Sequence, residues 1–362
     1  MNEGTVFQKI DRILSAYLRA ETFSGVVLIC KEGQTIYERA CGSANRSWLI
    51  NNQVDTRFRV ASISKMFTAV SILQIVDRGE LSFDDSIAGL LNLGNTTIPE
   101  NVTIEHLMTM TSGIADWFDE SGDWEKEWDE LCRKHPIYLF RKNEDYLPLF
   151  VNEEPVAGVG EGYRYSGSSY ILLGLAIEKI SGLSYFDYVR ENIFAHLDMT
   201  RSDFVALDGV HDEVAEGYVP LAGEDGEVVG YRKNIYSTTP EAAADGGATC
   251  SAKDLCRFAK GLRDGLLLSP GMTSKLLSPK VLQFPDKHRG YQWKYGYATM
   301  FLVDDHNQVV RYGHTGEEDG VSCRFYSYPG LDIDLVILGN LSRCSGEIGW
   351  EIHDLLMANT GG

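Results

Sequence analysis

Apolar positions recur along this chain in two rhythms. Over residues 5–20 they fall at the three- and four-residue spacing of an amphipathic helix, whereas residues 26–41 read as two strands hinged at Lys31-Glu32-Gly33-Gln34. Strand-length runs return late in the chain at 297–303, 309–314, 321–328 and 333–338, separated by polar turns such as Asp304-Asp305-His306-Asn307 and Pro329-Gly330. A final helix is expected at 347–357. Between these β regions lies a mainly helical stretch. Its first helix is marked by Met66, Ala69, Val70, Leu73 and Val76 at helical period, with Gly79 as the stop signal. Strands from the two chain ends then have to pair in one sheet. The expected organisation is an α/β (α+β) sheet domain from residues 1–61 and 207–362, with a mainly helical domain, 62–206, inserted and a cleft between them. No internal repeat, low-complexity tract or flexible linker interrupts it.

The candidate chemistry begins at Ser62-Ile63-Ser64-Lys65, where a hydroxyl and an amine stand one helical turn apart and so share a face. At a helix start, free N–H groups and the positive dipole end favour developing negative charge. A serine hydroxyl is a weak nucleophile until a base takes its proton, and an amine serves as that base only when desolvation or nearby positive charge holds it neutral. Taken alone the motif says little, because chance yields about one Ser-x-x-Lys in a chain of this length. Two further segments, Tyr165-Ser166-Gly167 and His314-Thr315-Gly316, come after it in order.

With those three motifs the chain resembles the serine β-lactamase and penicillin-binding-protein family, in particular its class C-like branch of esterases and D-aminopeptidases. The flanking text adds to the resemblance. Phe23-Ser24-Gly25-Val26-Val27-Leu28 and Gly33-Gln34-Thr35-Ile36-Tyr37 look like the family's first hairpin, and Phe58-Arg59-Val60-Ala61-Ser62 like its approach to the nucleophile. The run from Ile104-Glu105-His106-Leu107 to Thr111-Ser112-Gly113 is similar to another of its signatures, as are Leu172-Leu173-Gly174, Ile180-Ser181-Gly182, Gly320 and Leu338-Gly339-Asn340. The resemblance implies a β-lactamase/transpeptidase-like fold, an antiparallel sheet flanked by terminal helices. It also implies that Ser62 attacks an acyl carbon, that Lys65 and Tyr165 share the proton, and that the backbone N–H groups of Ser62 and Glu317 form an oxyanion hole. His314 joins the catalytic candidates, with shaping the pocket and tuning Tyr165 as its alternative role. Thr315, Gly316, Gly167, Glu318 and Trp117 are the substrate-binding candidates, Gly316 because a bare Cα admits substrate backbone.

Two departures bear on substrate. Penicillin-recognising members have Tyr-x-Asn where this chain has Gly167, and Lys-Thr-Gly where it has His314. An amide is missing, and a permanent cation gives way to a group expected to titrate near neutrality. Glu317-Glu318-Asp319 directly succeeds the His-Thr-Gly segment and is expected either to put carboxylates at the cleft mouth, attractive to amine-bearing ligands, or to be a solvated turn. The segment from Asp116-Trp117-Phe118-Asp119 to Trp124 and Trp128 reads as an aromatic helix face packed on the domain, with a rim over the site as the other reading.

Composition excludes whole classes. The 362 residues are 44% hydrophobic and 23% charged, enough to bury a large core, and the net charge of −19 disfavours nucleic acid and anionic membrane as partners. No apolar run spans a bilayer and no secretory signal is visible at Met1-Asn2-Glu3-Gly4-Thr5, so a cytoplasmic location is expected. Seven cysteines without Cys-x-x-Cys spacing read as reduced thiols, and no histidine has ligand-like spacing, so neither metal nor cofactor is expected. No Gly-x-Ser-x-Gly occurs, which removes the α/β-hydrolases. Three functions remain: a hydrolase of small esters or amides, D-amino acid amides or peptides included; a true β-lactamase or DD-carboxypeptidase; and a binding or scaffold protein on a retired catalytic fold.

Overall fold

The computed structural model describes residues 3–119 and 122–358. Its main sheet has eight antiparallel strands: β1 (Gly25–Lys31), β2 (Gln34–Cys41), β3 (Val281–Leu282), β4 (Gln292–Tyr295), β5 (Met300–Val303), β6 (Val309–Glu318), β7 (Val321–Tyr328) and β8 (Ile333–Gly339). Their spatial order is β2-β1-β8-β7-β6-β5-β4-β3, so strands from the two chain ends do meet, Gly25 opposite Gly339 and Lys31 opposite Ile333. The central strand β8 is buried at every residue, whereas the edge strand β2 mixes buried and exposed positions. A strand covered on both faces needs apolar side chains on both. Alternate residues of β1 and β8 accordingly feed two cores. Val27, Ile29, Leu335 and Ile337 meet Val6, Ile10 and Leu14 of helix α1 (Glu3–Arg19) and Ile348, Ile352 and Leu356 of a C-terminal helix (Gly346–Ala358). Val26, Leu28, Val336 and Leu338 belong to the other, larger core, which continues into the helical part of the molecule.

The helix after the serine, α2 (Lys65–Asp77), departs from its expected pattern. Phe67, Ile72 and Ile75 lie off the predicted stripe yet are fully buried, because this helix runs through the larger core and is covered all round. Gly79, at a left-handed φ of 76°, comes just after its end as expected. A second enclosed helix, α3 (Gly167–Ser181), starts two residues after Tyr165 and packs on α2. Strands β3 and β4, and a separate hairpin of Tyr218–Ala222 with Val228–Lys233, were not expected from the pattern. They are short or exposed, so their apolar residues are too few to announce them.

Strand β6 carries the His-Thr-Gly segment. It was expected to end at residue 314 but runs to Glu318, so that segment lies within a strand rather than at its end. Its ladder with β5 stops at Gly313 opposite Met300, while that with β7 continues to Glu318 opposite Val321. The turn carrying Ser62 packs against this last stretch of β6. Among the described residues no helix is long and apolar enough to cross a membrane.

Candidate active site

The short strand Phe58–Arg59 leads into Ala61, whose φ of 46° is unusual for a residue with a Cβ, and then into a 3-10 turn, Ala61–Ser64, which continues into α2. Backbone held in this sparsely populated region needs support from its surroundings. Here Ser64 Oγ donates to the Ala61 carbonyl at 2.7 Å and accepts from the Ala248 N–H at 3.0 Å, and the Gly247 N–H donates to the same carbonyl at 3.3 Å. The turn leaves Ser62 half-buried at the wall of a groove.

Lys65, one turn on, is 1% exposed. Its Nζ donates to Ser62 Oγ at 3.1 Å and to the Asp245 carbonyl at 2.5 Å. The same nitrogen lies 4.9 Å from the centre of the Tyr165 ring. The groove brings Ser62, Trp117, Tyr165, Thr315 and Glu317 to one surface, and its volume is about 810 Å³. A smaller cavity of about 50 Å³ also opens at Ser62; Trp117, Phe118, Trp124 and Trp128 line it. Phe118 packs edge-on against Trp124 and Trp128 at 4.9 and 5.5 Å between ring centres, so one aromatic cluster is both the packed face and a wall of the site.

Five residues have surroundings that the sequence did not announce. His314 is fully buried and does not line the groove. Its Nδ1 stands 2.6 Å from the Thr315 carbonyl and so carries the proton, leaving Nε2, 3.4 Å from the Tyr295 hydroxyl, as acceptor. Burial pushes the imidazole down to about 3, so it stays neutral where titration near neutrality was expected. Its ring lies 6.3 Å from that of Tyr165. Gly316 is needed by the fold itself: a Cβ there would stand 2.1 Å from the Val60 carbonyl, in the backbone leading to Ser62. Glu317 pairs with Arg324 at 2.6 Å and Glu318 with Arg59 at 2.8 Å, while Asp319 meets Arg232 at 3.2 Å. The expected rim of free carboxylates is thus compensated residue by residue.

Gly167 opens α3, where a Cβ would lie 2.6 Å from both Asp245 Oδ2 and Trp117 Nε1. Those two atoms are hydrogen-bonded to each other at 2.9 Å, the indole N–H donating. Asp116 accepts from the N–H groups of Gly167 at 2.9 Å and Ser168 at 2.8 Å, which ties down the first turn of α3 beside Tyr165. Burial raises the Asp116 carboxyl to about 6 against these hydrogen bonds, and burial likewise raises Asp245, with Lys65 opposing. Sequence reasoning gave Asp116 only a place in an aromatic rim and missed Asp245. The available signal was a lone acid among small residues, Ala242-Ala243-Ala244-Asp245-Gly246-Gly247. Among the described residues no cluster of histidine, cysteine and carboxylates is arranged to hold a metal.

The chain has relatives among known proteins. A family model described as Beta-lactamase matches residues 10–346, and the chain belongs to that family. It is 30% identical over 337 residues to Penicillin-binding protein 4* of Bacillus subtilis (strain 168), across 82% of this chain and 69% of that protein. Esterase EstB of Burkholderia gladioli is 26% identical, across 84% of this chain and 82% of its own. A crystal structure of a penicillin binding protein from Bacillus halodurans superimposes with a TM-score of 0.83 at 32% identity, covering 96% of this chain and 99% of that one.

Proposed function

We propose that this protein is a serine hydrolase that cleaves small esters or amides through an acyl-enzyme on Ser62. The observation that carries this reading is the 3.1 Å hydrogen bond from a buried Lys65 Nζ to Ser62 Oγ at the wall of an open groove. In acylation the Ser62 oxygen bonds to the acyl carbon while its proton passes to the Lys65–Tyr165 pair and on to the departing alcohol or amine. In deacylation water takes the same route, with Tyr165 accepting its proton and Ser62 recovering one. The N–H groups of Ser62 and Glu317 receive the oxyanion, and Thr315 contacts the substrate from β6. His314, buried and neutral, acts by packing beside Tyr165 rather than by transferring protons.

Amine-bearing substrates such as D-amino acid amides form a favoured subset, supported by the acidic lining of the groove, where Asp119, Glu127, Glu130, Glu153 and Glu154 outnumber Lys134 and Arg164. Penicillin recognition is the second reading, favoured by the similarity to two penicillin-binding proteins and opposed by Gly167 and His314. The test is hydrolysis of a short-chain nitrophenyl ester by the wild type and Ser62→Ala, with a chromogenic cephalosporin in parallel. A loss of about a thousandfold or more in the variant, with ester but not cephalosporin turnover, is the expected result. Equal rates in both proteins would sink the reading, and cephalosporin turnover would favour the second.

A further inference from the structure

The position two residues beyond Tyr165 has no side chain, and the space a side chain would enter is already full. A Cβ on Gly167 would stand 2.6 Å from Asp245 Oδ2 and 2.6 Å from Trp117 Nε1. These partners come from remote parts of the chain and are joined to each other at 2.9 Å. Asp245 also accepts from Lys65 Nζ through its carbonyl, at 2.5 Å. One residue therefore touches the amine through its backbone and brings a buried carboxylate beside it. We propose that Asp245, clamped by the Trp117 indole, is the positioning residue for Lys65 and takes over the place of the side chain absent at residue 167.

This inference rests on the hydrolase reading of Ser62 and sharpens it. An amide in that place would be neutral, and Asp245 is an acid. Burying a carboxylate is unfavourable unless opposite charge and hydrogen bonds compensate it. Here the compensation is the Trp117 N–H and the charge of Lys65. Lys65 is in turn the cation that faces this carboxylate. Its Nζ lies 4.9 Å from the ring centre of Tyr165, where a cation favours the phenolate. The roles divide accordingly: Tyr165 takes the proton from Ser62, and Lys65 supplies the field that lets it do so. The other titratable groups around Asp245 are Asp116 on the loop after the helix Ile104–Met108, Tyr146 on the 3-10 segment Asn143–Leu149, Tyr185 on the helix Tyr185–Val189, and Glu318 on β6. Of these, Glu318 is held by Arg59, and burial raises both tyrosines out of the working range. Asp116 is the one group expected to titrate alongside Asp245.

The experiment compares the full chain with Ser62→Ala, Asp245→Asn, Gly167→Asn and the double variant Gly167→Asn/Asp245→Gly. Each is assayed for nitrophenyl acetate hydrolysis from pH 5 to 10, after circular dichroism and active-site titration of Ser62 have established the folded fraction. Asp245→Asn is expected to lower kcat by about ten- to a hundredfold with KM within about twofold. Its pH profile should move to lower pH by about half a unit or more, because Asp116 has lost a negative neighbour. Gly167→Asn alone should be impaired, since its side chain meets Asp245 and Trp117. The double variant, which opens the space and restores an amide, should recover about tenfold over Gly167→Asn. An Asp245→Asn enzyme with wild-type kcat and an unmoved profile, beside an inactive Ser62→Ala, overturns this proposal alone. So does a loss accounted for entirely by folded fraction, or a double variant no better than Gly167→Asn. Wild-type turnover in Ser62→Ala overturns the hydrolase reading, and the inference with it.

Discussion

Two groups of carboxylates stand near Ser62, and the fold treats them in opposite ways. Glu317, Glu318 and Asp319 come directly after the His-Thr-Gly segment, and each is met by its own arginine, Arg324, Arg59 and Arg232. Asp116 and Asp245 come from loops remote in sequence and are held by N–H donors in the interior, with Lys65 as the nearby cation. The first group is conspicuous in the sequence and electrostatically spent. The second is inconspicuous, and its carboxylates face the Lys65 amine. Adjacency to a motif is therefore a poor guide to which acids act on a site; burial and the availability of a compensating cation are better ones.

The sharpest way to break the contrast is within the first group. Arg59 and Glu318 have side chains only 5% and 15% exposed, so Glu318→Gln strands a buried guanidinium and should cost about 3 kcal/mol or more in urea unfolding. A loss below about 1 kcal/mol would mean that Arg59 finds other compensation. Asp116→Asn comes next. It weakens acceptors for Gly167 and Ser168, and about 1–2 kcal/mol of stability should go with them at pH 7.

The pH dependence of stability separates the buried groups further. Asp116 is raised in the folded protein to about 6, so the native state binds more protons than the unfolded chain between about 4 and 6, and its contribution falls as pH rises through that window. His314, lowered to about 3, works the other way. Its contribution is fully present above about 6.5 and is lost as pH falls toward 3. In denaturation curves taken from pH 4 to 7, Asp116→Asn should therefore steepen the rise of stability with pH and His314→Gln should flatten it. Identical slopes in the two variants would contradict this assignment.

The smallest effects belong to the exposed end of the first group. Asp319→Asn removes an ion pair whose partner is 44% exposed and should change stability by less than about 0.5 kcal/mol. Glu317→Gln should change KM for amine-bearing and neutral esters alike, because Arg324 already compensates the carboxylate. A rise confined to the amine-bearing series would restore the rim to substrate selection.

Much of this molecule is set by local pattern. The terminal helices, the first hairpin and strands β7 and β8 are legible because the periodicity of apolar residues is a local property, set by which face each residue presents. Ser62, Lys65, Tyr165 and His314 are legible for a similar reason: helical spacing puts the first two on one face, and motif order joins the others to them. The tertiary structure alone decided that β6 runs on past its motif, that Gly316 presses against the backbone leading to Ser62, that His314 is dry and neutral, and that Asp245 fills the space beside Gly167. Each depends on contacts across the chain, 180 residues between Lys65 and Asp245 and 259 between Arg59 and Glu318. Protonation, pairing and available space are set by what surrounds an atom in three dimensions, and no local reading of residue types contains that.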